Sequence, residues 1–216
     1  MKDYKYLFFD LDGTLTDSSE GITKSVEYAL GKFSITVADR RDLFCFIGPP
    51  LHDSFMQFYG LSDEDAYKAV EYYREVFRVN GIYENTVYDG IPELLGRLRE
   101  AGKIPILATS KPEEFSRRIL DYFDMAKYFD FIAGATFDST RITKAQVIRY
   151  ALDGAGITDK SSVLMIGDRS QDVIGAHEVG IDCLGVLFGF GTRQELEEAG
   201  ADHIAETVED IGRFLI

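Results

Sequence analysis

Five short apolar segments constrain the fold of this 216-residue chain more than any other feature of its sequence. They alternate with segments of helical periodicity, and buried apolar runs in that order are typical of a parallel sheet made of βαβ units. We therefore predict an α/β fold, a Rossmann-like parallel sheet flanked by helices. The predicted strands are Tyr6–Phe9, Ile104–Ala108, Phe131–Ala133, Val163–Ile166 and Cys183–Leu187.

The alternation stops between about Thr16 and Asn85. This stretch has helical periodicity but no convincing strand, and the rigid turn Gly48-Pro49-Pro50 interrupts it. We predict an all-helical domain of residues 16–85 inserted after the first strand, with residues 1–15 and 86–216 forming the α/β core domain. A length of 216 residues suits one domain that carries a smaller insert, since a domain has roughly 150 residues.

Composition and charge exclude several classes of function. The formal net charge is -14, and such a surface repels nucleic acid and anionic membranes. There are 2 cysteines, too few for a disulfide framework. No apolar stretch approaches the roughly 20 residues that span a bilayer, and no cleavable signal pattern precedes the first strand. We expect a soluble, cytoplasmic protein without a nucleic-acid or membrane partner.

Candidate functional residues follow the predicted strands. Ligands of open parallel sheets bind outside the carboxyl ends of the strands, so these positions are expected to converge. The first strand precedes Asp10 and Asp12, the second precedes Thr109, Ser110 and Lys111, and the fourth precedes Asp168 and Asp172; Lys144 begins a helix after the third.

Each of these signals also has a structural interpretation. Asp12-Gly13 is a common turn dipeptide, and acidic residues such as Asp168 and Asp172 favour helix N-termini without any ligand. Lys144 alone would be a solvated helix residue. Together, however, four carboxylates would repel one another unless a divalent cation lay among them, and oxygen ligands suit Mg²⁺. We predict a metal site.

The motifs Asp10-Leu11-Asp12-Gly13-Thr14, Thr109, Lys144 and Gly167-Asp168 with Asp172 resemble, in order, the four signatures of the haloacid dehalogenase (HAD) superfamily. The resemblance covers essentially the whole chain, and the helical insert is similar to the C1-type cap of that family. The phosphoglycolate phosphatase and 5′-nucleotidase-like branch is the most similar. The resemblance implies an HAD-like core with a cap domain.

The resemblance also implies an activity: Mg²⁺-dependent hydrolysis of a small phosphorylated metabolite, with phosphoglycolate or a nucleoside 5′-monophosphate as leading candidates. Asp10 would be the nucleophile and form an aspartyl-phosphate, and Asp12 would be the general acid and base. Thr109 and Lys144 would contact the phosphoryl group. The implied metal ligands are Asp10, Asp168 and the backbone carbonyl of Asp12, with Asp172 supporting the metal or Lys144.

Substrate contacts are expected from Thr109, Ser110, Lys111 and Gly48, the last in the cap turn. One departure concerns the third motif. Many relatives have a Lys-Pro pair there, whereas this chain has Thr143-Lys144-Ala145, and Arg141 is the competing cation.

Three other functions compete with this one. A phosphosugar mutase of the β-phosphoglucomutase type shares all four motifs and the cap type, and is the main alternative. A signalling receiver domain is also phosphorylated on aspartate, but its acceptor follows a mid-chain strand, whereas Asp10 follows the first. A catalytically silent binding protein would lack a motif residue, and none is missing. The carboxylate at Asp12 favours phosphate-ester chemistry over dehalogenation.

Overall fold

A computed structural model describes residues 2–138 and 140–216. The described chain divides into two compact units, residues 1–16 with 87–216 and residues 17–86. The chain passes between the units at two strands of two residues each, β2 (Thr16–Asp17) and β3 (Thr86–Val87), which pair with each other. The expectation of no strand from Thr16 to Asn85 is therefore wrong at the first two residues of that stretch.

The first unit contains a parallel sheet, as predicted. Its described strands are ordered β5-β4-β1-β6-β7-β8, and every neighbouring pair is parallel. The strands are β1 (Tyr6–Phe9), β4 (Ile104–Pro112), β5 (Phe131–Ala135), β6 (Val163–Gly167), β7 (Asp182–Val186) and β8 (His203–Ala205). The predicted fold class is confirmed, and only the edge strand β8 of this sheet was not predicted.

Helices cover both faces of the sheet, which explains why its central strands are apolar throughout. Successive residues of a strand point to opposite faces. Phe8 of β1 packs with Ile106 and Met165 in the large apolar cluster, while Leu7 and Phe9 are buried as well. The helices are α4 (Ile91–Glu100), α5 (Glu113–Tyr122), α6 (Lys144–Gly154), α7 (Ser170–Val179), α8 (Arg193–Ala199) and α9 (Val208–Leu215).

The second unit is helical. It contains α1 (Ser19–Gly31), a 3₁₀ helix (Arg40–Phe46), α2 (Leu51–Tyr59), α3 (Asp63–Val76) and a π-helical turn (Phe77–Gly81). Buried apolar residues of α1 and α3, among them Val26 and Ala69, form its core. No helix in the described part of the chain is long and apolar enough to cross a membrane.

One predicted cap forms only in part. The sequence Thr192-Arg193-Gln194-Glu195 predicts a capping box, in which the two side chains bond each other's backbone N–H. Thr192 does accept a hydrogen bond from the N–H of Glu195. The carboxylate of Glu195 instead accepts hydrogen bonds from Arg169 and Ser170. A tertiary contact has therefore replaced the local hydrogen bond: Glu195 of α8 binds Arg169 and Ser170 at the start of α7.

Candidate active site

Asp10 and Lys144 form the centre of the candidate site. The backbone N–H of Asp10 donates to the carbonyl of Ile166 in β6 (2.9 Å), which places Asp10 at the carboxyl end of β1. Lys144 is the first residue of α6, where Thr143 and Gln146 form a capping box. Its Nζ lies 2.8 Å from Oδ1 of Asp10 and donates to the carbonyl of Ala108 in β4 (3.1 Å). Both side chains are buried.

Asp168 and Asp172 lie beside this pair. Asp168 follows β6, and its Oδ2 accepts a hydrogen bond from the N–H of Phe190 (2.7 Å). Asp172 is in the first turn of α7, where Oδ2 accepts from the N–H of Arg169 (3.1 Å). Its Oδ1 lies 2.7 Å from Nζ of Lys144. Lys144 therefore bridges Asp10 and Asp172.

Among the described residues, Asp10, Asp168 and Asp172 are the one group of acidic, histidine or cysteine side chains that could hold a metal ion. One carboxylate oxygen from each lies within 4.8 Å of the others. Oδ1 of Asp10 and Oδ1 of Asp172 are buried without a hydrogen bond of good geometry, although Lys144 is near both. Buried oxygens in this state, all from carboxylates, fit a hard divalent cation.

The pKa shifts of this cluster arise from the burial of its carboxylates and the repulsion between them. Burial raises the pKa of Asp168 well above its ordinary value, and the charges of Asp172 and Asp10 raise it further. Burial also raises the pKa of Asp172 to about 6, although Lys144 opposes the shift. Burial alone would lower the pKa of Lys144, but attraction to Asp10 and Asp172 is stronger and raises it. A divalent cation would stabilise all of the carboxylates in their charged form.

Asp12 lies outside this acidic group. Gly13 adopts a positive φ of 82°, and the carbonyl of Leu11 accepts hydrogen bonds from the N–H groups of Thr14, Leu15 and Thr16. The chain therefore turns at Gly13. The carboxylate of Asp12 accepts hydrogen bonds from Nζ of Lys111 at both oxygens (2.9 and 2.8 Å). A turn at Gly13 and a buried carboxylate at Asp12 therefore occur in the same segment, and the role of Asp12 stays a prediction.

Thr109, Ser110 and Lys111 lie in the last part of β4, and Lys111 contacts the carboxylate of Asp12. Thr109 is buried, and its Oγ1 accepts a hydrogen bond from the N–H of Lys111 (3.2 Å). Ser110 is half-buried. The competing cation, Arg141, binds elsewhere: it donates to Glu113 (3.0 Å) and to the carbonyl of Gly134 (2.6 Å). Lys144, not Arg141, is the cation beside Asp10.

The remaining predicted substrate contact, Gly48, is outside the α/β unit. Gly48 lies in the helical unit, between the 3₁₀ helix and α2, with a positive φ of 106°. Its contact with substrate stays a prediction.

The loop after β7 contacts the site, although none of the predicted site residues lies in it. The N–H of Phe190 in this loop binds Asp168, and its flanking glycines lie too close to the site for a side chain. A Cβ at Gly189 would lie 2.3 Å from the carbonyl oxygen of Gly13, and a Cβ at Gly191 would lie 1.8 Å from that of Asp168. The signal was the repeated Phe-Gly of residues 188–191, directly after the fifth predicted strand. The rule that ligands bind outside the carboxyl ends of parallel strands, applied also to this strand, would predict that the loop belongs to the site.

Comparison with known proteins identifies the family. The model of the haloacid dehalogenase-like hydrolases matches residues 7–186. A 5′-nucleotidase of Pseudomonas aeruginosa is 48% identical over 200 residues, 93% of this chain and 90% of its own. The tyrosine-protein kinase PtkA of Mycobacterium tuberculosis is 37% identical over 97% of this chain and 72% of its own.

A solved structure agrees with these relatives. The crystal structure of a predicted phosphatase from Clostridium acetobutylicum is 48% identical and superposes with a TM-score of 0.96, over 99% of this chain and 98% of that chain. The four motifs, the parallel sheet and the buried acidic cluster are accounted for by one family. The chain belongs to the haloacid dehalogenase-like hydrolases, and it is a phosphatase of that family.

Proposed function

We propose that this phosphatase is a Mg²⁺-dependent phosphomonoester hydrolase that acts through an aspartyl-phosphate on Asp10. The observation that carries the proposal is the position of Asp10: its carboxylate is 2.8 Å from Nζ of Lys144 and within 4.8 Å of oxygens from Asp168 and Asp172. A nucleophile for an anionic phosphoryl group needs positive charge around it, and this cluster offers one lysine and a place for a cation.

In the first step, a carboxylate oxygen of Asp10 attacks phosphorus and the bond from phosphorus to the ester oxygen breaks. Asp12, in the protonated form that this step requires, gives its proton to the leaving oxygen. The alcohol departs neutral and Asp12 becomes a carboxylate, the form whose two oxygens accept hydrogen bonds in the structure. In the second step, that carboxylate takes a proton from the attacking water. The bond from phosphorus to Asp10 breaks, and inorganic phosphate leaves.

The remaining residues supply charge and orientation, which dominate catalysis of phosphoryl transfer. Lys144 offsets the charge of Asp10 and of the phosphoryl group, and Thr109 would donate a hydrogen bond to a phosphate oxygen. Asp10, Asp168 and the backbone carbonyl of Asp12 would hold Mg²⁺, with Asp172 supporting it. When bound, Mg²⁺ would offset negative charge on the transferred group.

The leading substrate is a nucleoside 5′-monophosphate, with phosphoglycolate as the next candidate. The support is the 48% identity to a protein named a 5′-nucleotidase over nine-tenths of both chains. Substrate choice in this proposal depends on the helical unit, where Gly48 is the predicted contact.

The test is phosphate release from a panel of nucleoside 5′-monophosphates, phosphoglycolate, pyrophosphate and sugar phosphates, with Mg²⁺ or with chelator. We expect release that needs Mg²⁺ and falls by at least about 1,000-fold in Asp10→Asn, because the covalent step is lost. Mass spectrometry after acid quenching should find phosphate on Asp10. Asp121→Asn, at an exposed aspartate of α5, is the matched control and should retain full activity.

Other results would redirect the assignment. Phosphorylated Asp10 without phosphate release, accompanied by isomerised sugar phosphate, would identify a mutase. Transfer of labelled phosphate from ATP to a tyrosine peptide would point to the activity named for PtkA. Neither release nor phosphorylated Asp10 would overturn the proposal.

A further inference from the structure

Lys111 is a buried lysine of the α/β unit, and the catalytic steps described above give it no role. Its side chain is 4% exposed and that of its partner, Asp12, is 11% exposed. Nζ donates to both carboxylate oxygens of Asp12, so the carboxylate is held at two points. Two charge-assisted hydrogen bonds from one cation restrict rotation of the carboxylate as well as its position.

The backbone directs Lys111 towards this partner. The register between β4 and β5 shifts between Ala108 and Pro112, an irregularity that re-aims side chains at the end of a strand. Oγ1 of Thr109 accepts a hydrogen bond from the N–H of Lys111, and Pro112 restricts the residue before it to extended conformations. A Cβ at Gly134 would lie 2.7 Å from the carbonyl oxygen of Lys111, so a glycine is needed where β5 passes.

Lys111 and Lys144 contact different carboxylates of the site. Lys144 lies beside Asp10 and Asp172, which belong to the acidic group that could hold a metal. Asp12 is only two residues from Asp10, yet its carboxylate is not part of that group within the described residues. Both of its oxygens instead accept hydrogen bonds from Lys111.

We propose that Lys111 is a positioning residue that holds the carboxylate of Asp12 away from the metal-binding carboxylates and available to the leaving group. This role rests on the proposed function, because it acts through the proton transfer assigned to Asp12. It differs from the predicted role of Lys111 as a direct contact for substrate. Lys111 orients Asp12, the general acid and base, while Lys144 offsets the charge of Asp10, the nucleophile.

The experiment compares two substrates that differ in the need for a proton on the leaving oxygen. An alkyl phosphomonoester has a basic leaving oxygen, and p-nitrophenyl phosphate has a weakly basic one. The kcat/KM reports the steps up to phosphorylation of Asp10, so it isolates departure of that oxygen. We expect Lys111→Met to lower kcat/KM about 100-fold for the alkyl ester, within the range of general acid catalysis, but less than about 5-fold for p-nitrophenyl phosphate.

Asp12→Asn should show the same substrate dependence, and the double variant Lys111→Met/Asp12→Asn should be no slower than Asp12→Asn. The double variant also removes both charges of the buried pair, so it tests the role even if Lys111→Met fails to fold. Lys103→Met is the matched control, since Lys103 pairs with Asp3 (2.7 Å) in the same unit and should leave both rates unchanged.

Two measurements do not depend on turnover of substrate. The Kd for Mg²⁺, measured by calorimetry on Lys111→Met, should be no weaker than that of the wild-type protein, because Lys111 does not support the metal group. Inhibition by inorganic phosphate should change less than about twofold, since Lys111 is held by Asp12 rather than by phosphate.

Equal losses on both substrates, with weaker inhibition by phosphate, would overturn the role and make Lys111 a direct phosphate contact. Unchanged rates on the alkyl ester would overturn it as well. These outcomes are separate from a failure of the proposed function. A wild-type protein that never carries phosphate on Asp10 would overturn both, whereas phosphorylated Asp10 with equal losses would overturn the role of Lys111 alone.

Discussion

Among the described residues, the α/β unit contains ion pairs between two buried side chains, and the helical unit contains none. In the α/β unit, Lys144, Asp10 and Asp172 form ion pairs with side chains at most 6% exposed. In the helical unit, Lys68 pairs with Glu64 at 2.8 Å, a similar distance, but the two side chains are 50% and 82% exposed. Distance alone therefore does not separate the two kinds of pair, whereas burial does.

The difference indicates which unit carries the chemistry. Burying charges costs free energy, and a fold retains them where they are paired and needed. The acidic cluster, Lys144, Lys111 and Asp12 all belong to the α/β unit. The pair of Lys68 and Glu64, by contrast, is an i,i+4 pair on the solvated face of α3. Three predictions test this comparison.

The largest effect is expected from Lys144→Met. This substitution would leave Asp10 and Asp172 buried without their cation, and removing one partner of a buried ion pair costs roughly 3–5 kcal/mol. Urea unfolding without divalent cation should show this loss in the free energy of unfolding. Added Mg²⁺ should restore part of it. A loss below about 1 kcal/mol would mean that burial of these charges has little consequence.

An intermediate effect is expected from pH in the absence of divalent cations. Burial raises the pKa values of Asp168 and Asp172, the latter to about 6, above those of the unfolded chain. A carboxyl group whose pKa is higher in the folded protein than in the unfolded chain contributes stability. This contribution is complete at pH values below the pKa of the unfolded chain, and it is lost as pH rises through the pKa of the folded protein. The free energy of unfolding should fall by roughly 1–2 kcal/mol between pH 5 and pH 8, a drop of several degrees in Tm.

Mg²⁺ should reverse this trend, because it stabilises the charged carboxylates, and should therefore raise Tm more at pH 8 than at pH 5. Asp172→Asn is the control, because an amide does not titrate. This variant should lose the part of the pH dependence that Asp172 contributes. Thermal melts in chelator and in Mg²⁺ measure both effects. A Tm in chelator that does not change between pH 5 and pH 8 would contradict the raised pKa values.

The smallest effect is expected from Lys68→Met in the helical unit. An exposed i,i+4 pair contributes about 0.3–0.5 kcal/mol, so urea unfolding should change by no more than about 0.5 kcal/mol. Phosphatase activity should be unchanged. A loss comparable to that of Lys144→Met would remove the contrast between the two units.

Much of the fold could be predicted from local sequence patterns, and the exceptions have physical reasons. The central strands are buried on both faces and therefore appear as apolar runs. The edge strand β8 contains three residues, and His203 and Ile204 are only half-buried, so no run distinguishes it. Glu195 was expected to complete a local capping box, but Arg169 and Ser170, 26 and 25 residues away in the chain, compete for its carboxylate.

The order of motifs along the chain determined the α/β class, the family and the carboxylates that follow the strands. These features depend on neighbouring residues and on the rule that parallel strands end at one edge. Only the tertiary structure decided how cations and carboxylates are paired: Lys144 with Asp10 and Asp172, Lys111 with Asp12, and Arg141 with Glu113. Those pairings depend on the irregularity at the end of β4 and on the cap of α6, which set side-chain directions that residue spacing does not encode.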